Sequence, residues 1–316
     1  MNSAVSLILQ RLVYSLGTLA LVSVVIFAAV EVLPGDIPSR ILGREAPLEA
    51  REKLRVELGL DRPAVERYAI WAGNALQGDF GVSLTLRKPV SEVVFPRLGN
   101  TLVLAGLALV FYIPLSIAPA LVQAFRPNGV ADRAISTLTV LVLSTPEFLL
   151  ATLLLFGLAV VYPVFPPLAQ VSAAAGPIGF LYMITLPALT LAILLAAYGT
   201  RLLRESLVEL LDSDFIRMAE LKGMTRRRIV LRHALPNALI PWLNATAINI
   251  AFMIGGVVVV ERVFLFPGFG SLLVDALQLR DIPLVEASVL LAAALFILVN
   301  LAADIGAILL NPRLRN

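Results

Sequence analysis

The sequence predicts an all-α, polytopic membrane protein with about six transmembrane helices and a folded external segment between the first two. Three observations predict it. Hydrophobic residues make up 59% of the 316-residue chain and charged residues only 15%, against roughly 25% charged in an ordinary soluble domain. Mean hydropathy is +0.90. Apolar stretches of about 20 residues, enough to cross about 30 Å of hydrocarbon as helix, recur along the chain. These stretches are apolar on all sides, whereas barrel strands would alternate over about 10 residues.

Taken in order, the spans are expected at Leu12–Leu33, Thr101–Phe125, Thr137–Val161, Ile184–Leu203, Ala238–Val260 and Leu284–Leu310. The first is too long for the apolar core of a signal peptide, and no convincing small-residue cleavage site follows it, so a retained helix is expected. Pro114, Pro146 and Pro187 lie inside or beside spans and predict kinks. The organisation is therefore a tail and first helix over 1–33, an external segment over 34–100, a five-helix core over 101–310 with a polar loop at about 204–236, and a tail over 311–316.

The external segment carries two helix signals. One runs from about Leu48 to Leu58 and stops at Gly59. In the other, Asp61 is a candidate cap with Pro63 in the first turn. Val65, Tyr68, Ala69, Ala72 and Leu76 form its apolar stripe. Gly78 to Gly81 and Lys88–Pro89 are expected turns. The segment suits either an external docking surface or a small cap packed on the spans.

Charge sets the expected orientation. Arg11, Arg126, Arg133, the loop residues Arg201, Arg204, Arg217, Lys222, Arg226, Arg227, Arg228 and Arg232, and the tail residues Arg313 and Arg315 give thirteen basic residues on one face. The short opposite loops hold Arg262 and Arg280. By the positive-inside rule both termini face the cytoplasm. The chain has no cysteine and one histidine, His233, which excludes disulfides, zinc–thiolate sites and histidine-clustered metals.

The loop between the fourth and fifth spans has internal logic. Asp212, Ser213 and Asp214 offer a capped helix start. Phe215, Met218 and Ala219 follow as an apolar face, and Gly223 is placed to end the helix in the left-handed conformation. Thr225 is a candidate cap for a second short helix bearing Arg226–Arg228, and Pro236 is expected to interrupt the path into the fifth span. On physics alone this is either a basic loop that fixes topology and touches lipid headgroups, or a rigid knob that inserts into a soluble partner.

Residues Arg217 to Pro236 resemble the signature loop of ABC-importer permeases, EAA–x3–G–x9–I–x–L–P. Ala219 falls on the second alanine, Gly223 on the glycine and Leu235–Pro236 on the terminal pair, while Arg217, Met218 and His233 depart from the pattern. Further motifs are similar to the oligopeptide/dipeptide branch. They are Leu33-Pro34-Gly35-Asp36, Glu57-Leu58-Gly59-Leu60-Asp61-Arg62-Pro63, Gly78-Asp79-Phe80-Gly81, Glu261-Arg262-Val263-Phe264, Pro267-Gly268-Phe269-Gly270, Arg280-Asp281-Ile282-Pro283 and Asn311-Pro312-Arg313.

The resemblance implies a permease subunit of a bacterial-type inner-membrane importer for peptides or similar small solutes. Its partners would be a second, distinct permease chain, two ATPase subunits or domains, and an extracytoplasmic solute-binding protein. The helix ending at Gly223 would couple to the ATPase through Phe215, Met218, Ala219, Gly223, Leu235 and Pro236. The chain lacks a GxxxxGK[ST] loop, so it is not expected to be an enzyme. No cofactor is expected here, with ATP and Mg on the ATPases, and no nucleic-acid partner.

Among polar residues in the spans, Glu147 is costly to expose to lipid, roughly 2.5–3.5 kcal/mol for a charge at mid-bilayer. It either faces a translocation cavity, where it could meet a cationic solute, or is a buried structural carboxyl. Asn244 and Asn249 are weaker candidates for the path and, with Asn300, suit interhelical hydrogen bonds. Asp304 and Gly255–Gly256 suit structural roles. An intramembrane protease would need a catalytic pair at matched depth, and Asp304 has no aspartate partner in another span. A secondary transporter or channel working without an ATPase is the alternative. Such proteins usually carry inverted repeats or paired broken helices, and none is evident.

Overall fold

The structure, a computed structural model, describes residues 3–32, 38, 45–57, 59–170 and 176–310. Within its helices the side chains of residues 3–7, 54, 57, 251, 252, 254–256, 303, 304 and 306–310 are left undescribed. Leu33 to Asp36, Leu58 and Asn311 to Arg313 therefore lie outside the described residues, as do the side chain of Asp304 and the packing at Gly255–Gly256.

Long apolar runs without helix-stopping signals form long helices. The helices are α1 Ser3–Val32, α2 Leu48–Glu57, α3 Ala64–Leu76, α4 Val90–Phe125, α5 Val130–Ser144, α6 Glu147–Leu155, α7 Gly176–Leu211, α8 Asp214–Leu221, α9 Arg226–Arg228, α10 Leu235–Val263, α11 Phe269–Leu279 and α12 Ile282–Leu310. Six-residue π-helical stretches, Phe156–Val161 and Ile229–Ala234, extend α6 and join α9 to α10. The described residues form no strand beyond an isolated bridge between Val82 and Pro89.

Among the described residues four helices are long and apolar enough to span a membrane: Ile8–Val32, Val90–Phe125, Gly176–Leu211 and Ile282–Ala302. α5 and α6 pass the same test only as a pair, bent by 109° at their break, the geometry of a broken span or a re-entrant loop. The fifth expected span, Ala238–Val260, lies within the 29 residues of α10. At 1.5 Å per residue, 36-residue helices such as α4 and α7 reach roughly 54 Å, well beyond the hydrocarbon. Hydropathy marks only their apolar middles. Their polar ends stay helical, so α4 begins at Val90 inside the expected external segment and α7 runs to Leu211 inside the expected loop.

The three prolines behave differently. Pro187 sits inside α7 and Pro114 inside α4 without interrupting either helix. At Pro146 the preceding Thr145 is extended, φ −88° and ψ 126°, the conformation that a following proline favours. There the helix breaks outright, more than the kink expected.

The chain divides into two compact units. The first comprises residues 1–98, 272–301 and 308–316. In it α3 lies on α1: Phe27 meets Tyr68 edge-on at 5.5 Å and Trp71 at 6.0 Å. Ser23 and Tyr68 share a 2.8 Å hydroxyl hydrogen bond, and Arg67 pairs with Glu31. The expected stripe is thus rotated. Tyr68, Trp71, Ala72 and Ala75 are half-buried, whereas Val65 and Leu76 are 80% and 91% exposed and Ala69 is also exposed. Pro63 rather than Asp61 occupies the N-cap position, with no side-chain cap bond. α2 ends as expected: Gly59 has φ +64°, and Leu60 N–H donates to Arg55 O at 2.9 Å.

The same unit holds a clamp around Asp281. Its buried carboxylate accepts hydrogen bonds from Ser83 Oγ (2.5 Å), Thr85 N–H (3.0 Å) and Leu84 N–H (3.2 Å). Leu284 N–H in the first turn of α12 also donates to it, at 3.4 Å. One aspartate thus caps a spanning helix and pins the turn that follows Gly81.

The second unit comprises residues 99–271 and 302–307. Its first apolar cluster joins α4, α6, α7 and α10 through residues such as Leu104, Ala151, Leu186 and Val257. A second includes Ala120, Leu203, Ile216, Ile229 and Trp242, so it runs from the spans into the loop. Small residues, among them Ala108, Ala151, Ala188 and Ala192, let helices approach where lipid supplies no hydrophobic drive between them. Tyr112 stacks on Trp242 at 5.4 Å with ring planes 4° apart, and its hydroxyl lies 2.7 Å from Thr246 Oγ1. A Cβ on Gly199 would come within 2.7 Å of that hydroxyl, so glycine admits the stack.

Candidate functional site

The loop between the fourth and fifth spans folds as a knob packed on the ends of its own spans. α8 starts at Asp214 with Ser213 as its N-cap residue in extended conformation; Ser213 Oγ donates backward to Leu210 O at 2.6 Å instead of capping. The other end closes in a Schellman pattern. Gly223, at φ +75°, donates its N–H to Glu220 O at 2.8 Å, and Met224 N–H reaches Ala219 O at 3.3 Å. These bonds satisfy carbonyls that a helix end leaves unpaired, and the left-handed residue between them makes the reversal possible. A Cβ at Gly223 would meet nothing within 4 Å, so backbone conformation alone sets the requirement for glycine.

The eight residues of α8 separate two faces. Ile216 and Ala219 are buried in the second apolar cluster. Phe215 and Met218 are each 55% exposed, and Leu221 is more so. The expected face of Phe215, Met218 and Ala219 is therefore split: Ala219 turns inward with Ile216 and holds the helix to its own chain. The Phe215 ring also meets the His233 ring edge-on at 6.0 Å. Leu235 is half-buried against the same cluster. Pro236 is exposed and stands at the start of α10, directly after the π-helical stretch. Helix continues from Arg226 through the π stretch into α10, so Pro236 does not interrupt that path.

Beneath the knob, charged groups tie three helices together. Asp132, buried in the first turn of α5, takes a two-pronged bond from Arg204 on α7 (Nε to Oδ1 2.6 Å, Nη2 to Oδ2 2.7 Å). It also accepts Gln123 Nε2 from α4 at 2.9 Å and Asn128 N–H at 2.7 Å. Paired and hydrogen-bonded on every side, this carboxylate meets the condition under which a buried charge is tolerated.

The residues expected along a translocation path are placed less uniformly. Glu147 is the first residue of α6, directly after the break; it is half-buried, and its Oε1 is enclosed without a hydrogen-bond partner. Asn249 on α10 is half-buried with an enclosed, unpartnered Nδ2. α6 and α10 pack against each other. Asn244 is exposed; five residues from Asn249 on one helix, it points roughly 140° away at 100° per residue. The two asparagines therefore do not line a common face. Asn300 donates to Phe296 O of its own helix at 2.8 Å, not to another helix.

One buried polar cluster was present in the sequence only as a motif. Glu261 is fully buried; Thr101 Oγ1 donates to its Oε1 at 2.5 Å and Ser271 N–H to its Oε2 at 2.7 Å. Thr101 Oγ1 in turn accepts Phe269 N–H at 2.8 Å. A Cβ at Gly268 would overlap the Glu261 carboxylate, and one at Gly270 would come within 2.5 Å of Val258. The Glu-Arg-Val-Phe and Pro-Gly-Phe-Gly motifs are thus two halves of one buried-carboxylate turn.

Several apolar helices long enough to cross a membrane, with a polar loop of short helices between two of them, define a polytopic membrane protein. Residues 112–316 match the family described as binding-protein-dependent transport system inner membrane component, and the chain belongs to that family. It is 36% identical over 310 residues to a peptide transport system permease protein of Brucella abortus (strain 2308), covering 98% of this chain and 99% of the other. It is 33% identical over 308 residues to a peptide ABC transporter permease protein of Sinorhizobium fredii (strain NBRC 101917 / NGR234), 98% of each chain. It is 36% identical over 308 residues to the glutathione transport system permease protein GsiC of Escherichia coli (strain K12), again 98% of each. The chain is a permease component of an importer.

Proposed function

We propose that this permease moves peptides or similar small solutes into the cytoplasm by alternating access, driven by ATPase subunits that dock on α8. The observation that carries the reading is the division of α8: Ile216 and Ala219 fasten it to its own chain while Phe215 and Met218 remain available. A helix rigidly capped at Gly223 and buried on one side transmits a push where a flexible loop would absorb it. The chain would lie in a bacterial inner membrane with both termini cytoplasmic, beside a second, distinct permease and an extracytoplasmic solute-binding protein. ATP and Mg belong to the two ATPases, and the chain performs no chemistry itself. The names of relatives that span nearly its full length support a peptide-class cargo.

Glu147 is proposed to face the solute path. An enclosed carboxylate oxygen without a partner, at the break of a span, suits the ammonium of a peptide or another cationic solute.

The test is mild-detergent purification of the tagged chain from its native membrane. Co-purification of an ATPase and a second permease is expected with wild type, and loss of the ATPase with Met218→Asp, which places charge on the exposed face without touching the buried one. An ATPase retained at wild-type yield by Met218→Asp would refute docking on α8.

A further inference from the structure

Arg226 begins the helix that follows the Gly223 cap, and its guanidinium reaches in two directions. Nη2 donates to Ala124 O at 3.2 Å, and Nη1 lies 3.7 Å from Glu220 Oε1. Ala124 is fully buried, one residue before the end of α4. The final carbonyls of a helix lack intrahelical partners and carry the negative end of its dipole, so a cation there satisfies both needs. Glu220 lies in the last turn of α8. This side chain therefore adds polar contacts between the knob and the end of the second span to the apolar cluster that Ala120 and Ala124 share with Ile216 and Ala219.

The other basic residues of the loop make no such link. Arg217 pairs locally with Asp214 at 3.6 Å, three residues away. Lys222, Arg227, Arg228 and Arg232 are exposed and form no ion pair among the described residues. The remaining attachment of α8 is apolar, through Ile216 and Ala219. Apolar contact is non-directional, whereas the planar guanidinium adds directional polar contacts to it.

We infer that Arg226 is the positioning residue that makes α8 and the inner end of α4 move as one body, so that displacement of the docking helix is passed to the second span. The inference rests on the reading of α8 as the ATPase-docking helix. Arg226 and Glu220 are 41% and 52% exposed. Exposed ion pairs contribute little to stability, so their removal should loosen this coupling without unfolding the permease.

The absence of native cysteine permits a direct measurement. Nitroxide labels at Lys222→Cys and Val122→Cys, both exposed positions, report the distance from the knob to α4 in the assembled complex, without nucleotide and with ATP and vanadate. With Arg226 present, a narrow distribution that is the same in both states is expected. With Arg226→Ala the nucleotide-free distribution should broaden, and ATP with vanadate should shift it by roughly 2 Å or more, the scale of helix displacements at interfaces. Arg226→Lys, which keeps the charge, should recover the narrow form in part.

An Arg226→Ala distribution indistinguishable from that of the labelled protein with Arg226 overturns the inference. If Arg226→Ala sheds the ATPase, the nucleotide-free distribution of the remaining permease decides in the same way. Failure of the docking reading looks different: Met218→Asp then retains the ATPase, while the nucleotide-free broadening in Arg226→Ala still stands.

Discussion

Gly223 and Gly268 are both glycines for a physical reason, and the reasons differ. At Gly223 the surroundings are open and only φ +75° excludes a side chain. Gly223→Ala should cost about 1 kcal/mol and leave the ATPase bound, whereas Gly223→Pro, locked near φ −65°, should abolish the cap and ATPase association. Normal solute uptake with Gly223→Pro would remove the coupling role of α8. At Gly268 the obstacle is the Glu261 carboxylate, already held by Thr101 and Ser271. Gly268→Ala should therefore cost roughly 2–3 kcal/mol by overpacking, seen as a lower melting temperature of the detergent-purified permease. Equal melting temperatures for Gly223→Ala and Gly268→Ala would contradict this difference. Glu147 makes a third contrast, since it has no partner to lose. Glu147→Gln should leave the melting temperature unchanged and raise KM for cationic peptides more than for neutral ones; unchanged kinetics across both would assign it a structural role.

Between helices, the tie of Asp132 to Arg204 and Gln123 holds α4, α5 and α7 together. Asp132→Ala would leave Arg204 without its partner, costing about 2–3 kcal/mol once the partial exposure of Arg204 is allowed for. Replacing both residues by leucine should recover most of that loss, because a buried ion pair is often matched by apolar packing. Thermal unfolding of the single and double variants checks it, and a double variant as unstable as Asp132→Ala would argue against it. At this scale the sequence was most informative where the signal is local. The spans follow from apolar length, and the end of α8 from one glycine at the right distance. The break at Pro146 was not legible, because Pro114 and Pro187 have the same chemistry and their helices continue; the choice belongs to the packing around each. The face of α8 was only half legible. An i, i+3, i+4 grouping collects Phe215, Met218 and Ala219, but the second cluster takes Ile216 and Ala219 together. The roles of Glu261 and Asp281 were hidden because Thr101 and Ser83 lie 160 and 198 positions away in the chain.

For the whole molecule, topology decides what each site is able to meet. If the basic face lies inside, α8 is open to the cytoplasm, as its proposed docking on an ATPase requires, and the segment that bears α3 is extracytoplasmic. Every one of these assignments inverts if the chain lies the other way. Thirteen basic residues against two on the short opposite loops argue strongly for one orientation, since each cation in the short loops biases insertion toward the cytoplasm. The chain without cysteine offers a clean check. Leu76 in α3 and Val130 between the second and third spans are 91% and 80% exposed, so a cysteine at either disturbs no packing. In intact spheroplasts a membrane-impermeant maleimide should label Leu76→Cys and leave Val130→Cys untouched; after permeabilisation both should react. The reverse pattern would place the knob outside the cell, where no ATPase reaches it, and would dismiss the coupling mechanism together with the orientation. Labelling of both in intact spheroplasts would mean mixed topology, which so large a charge asymmetry does not allow.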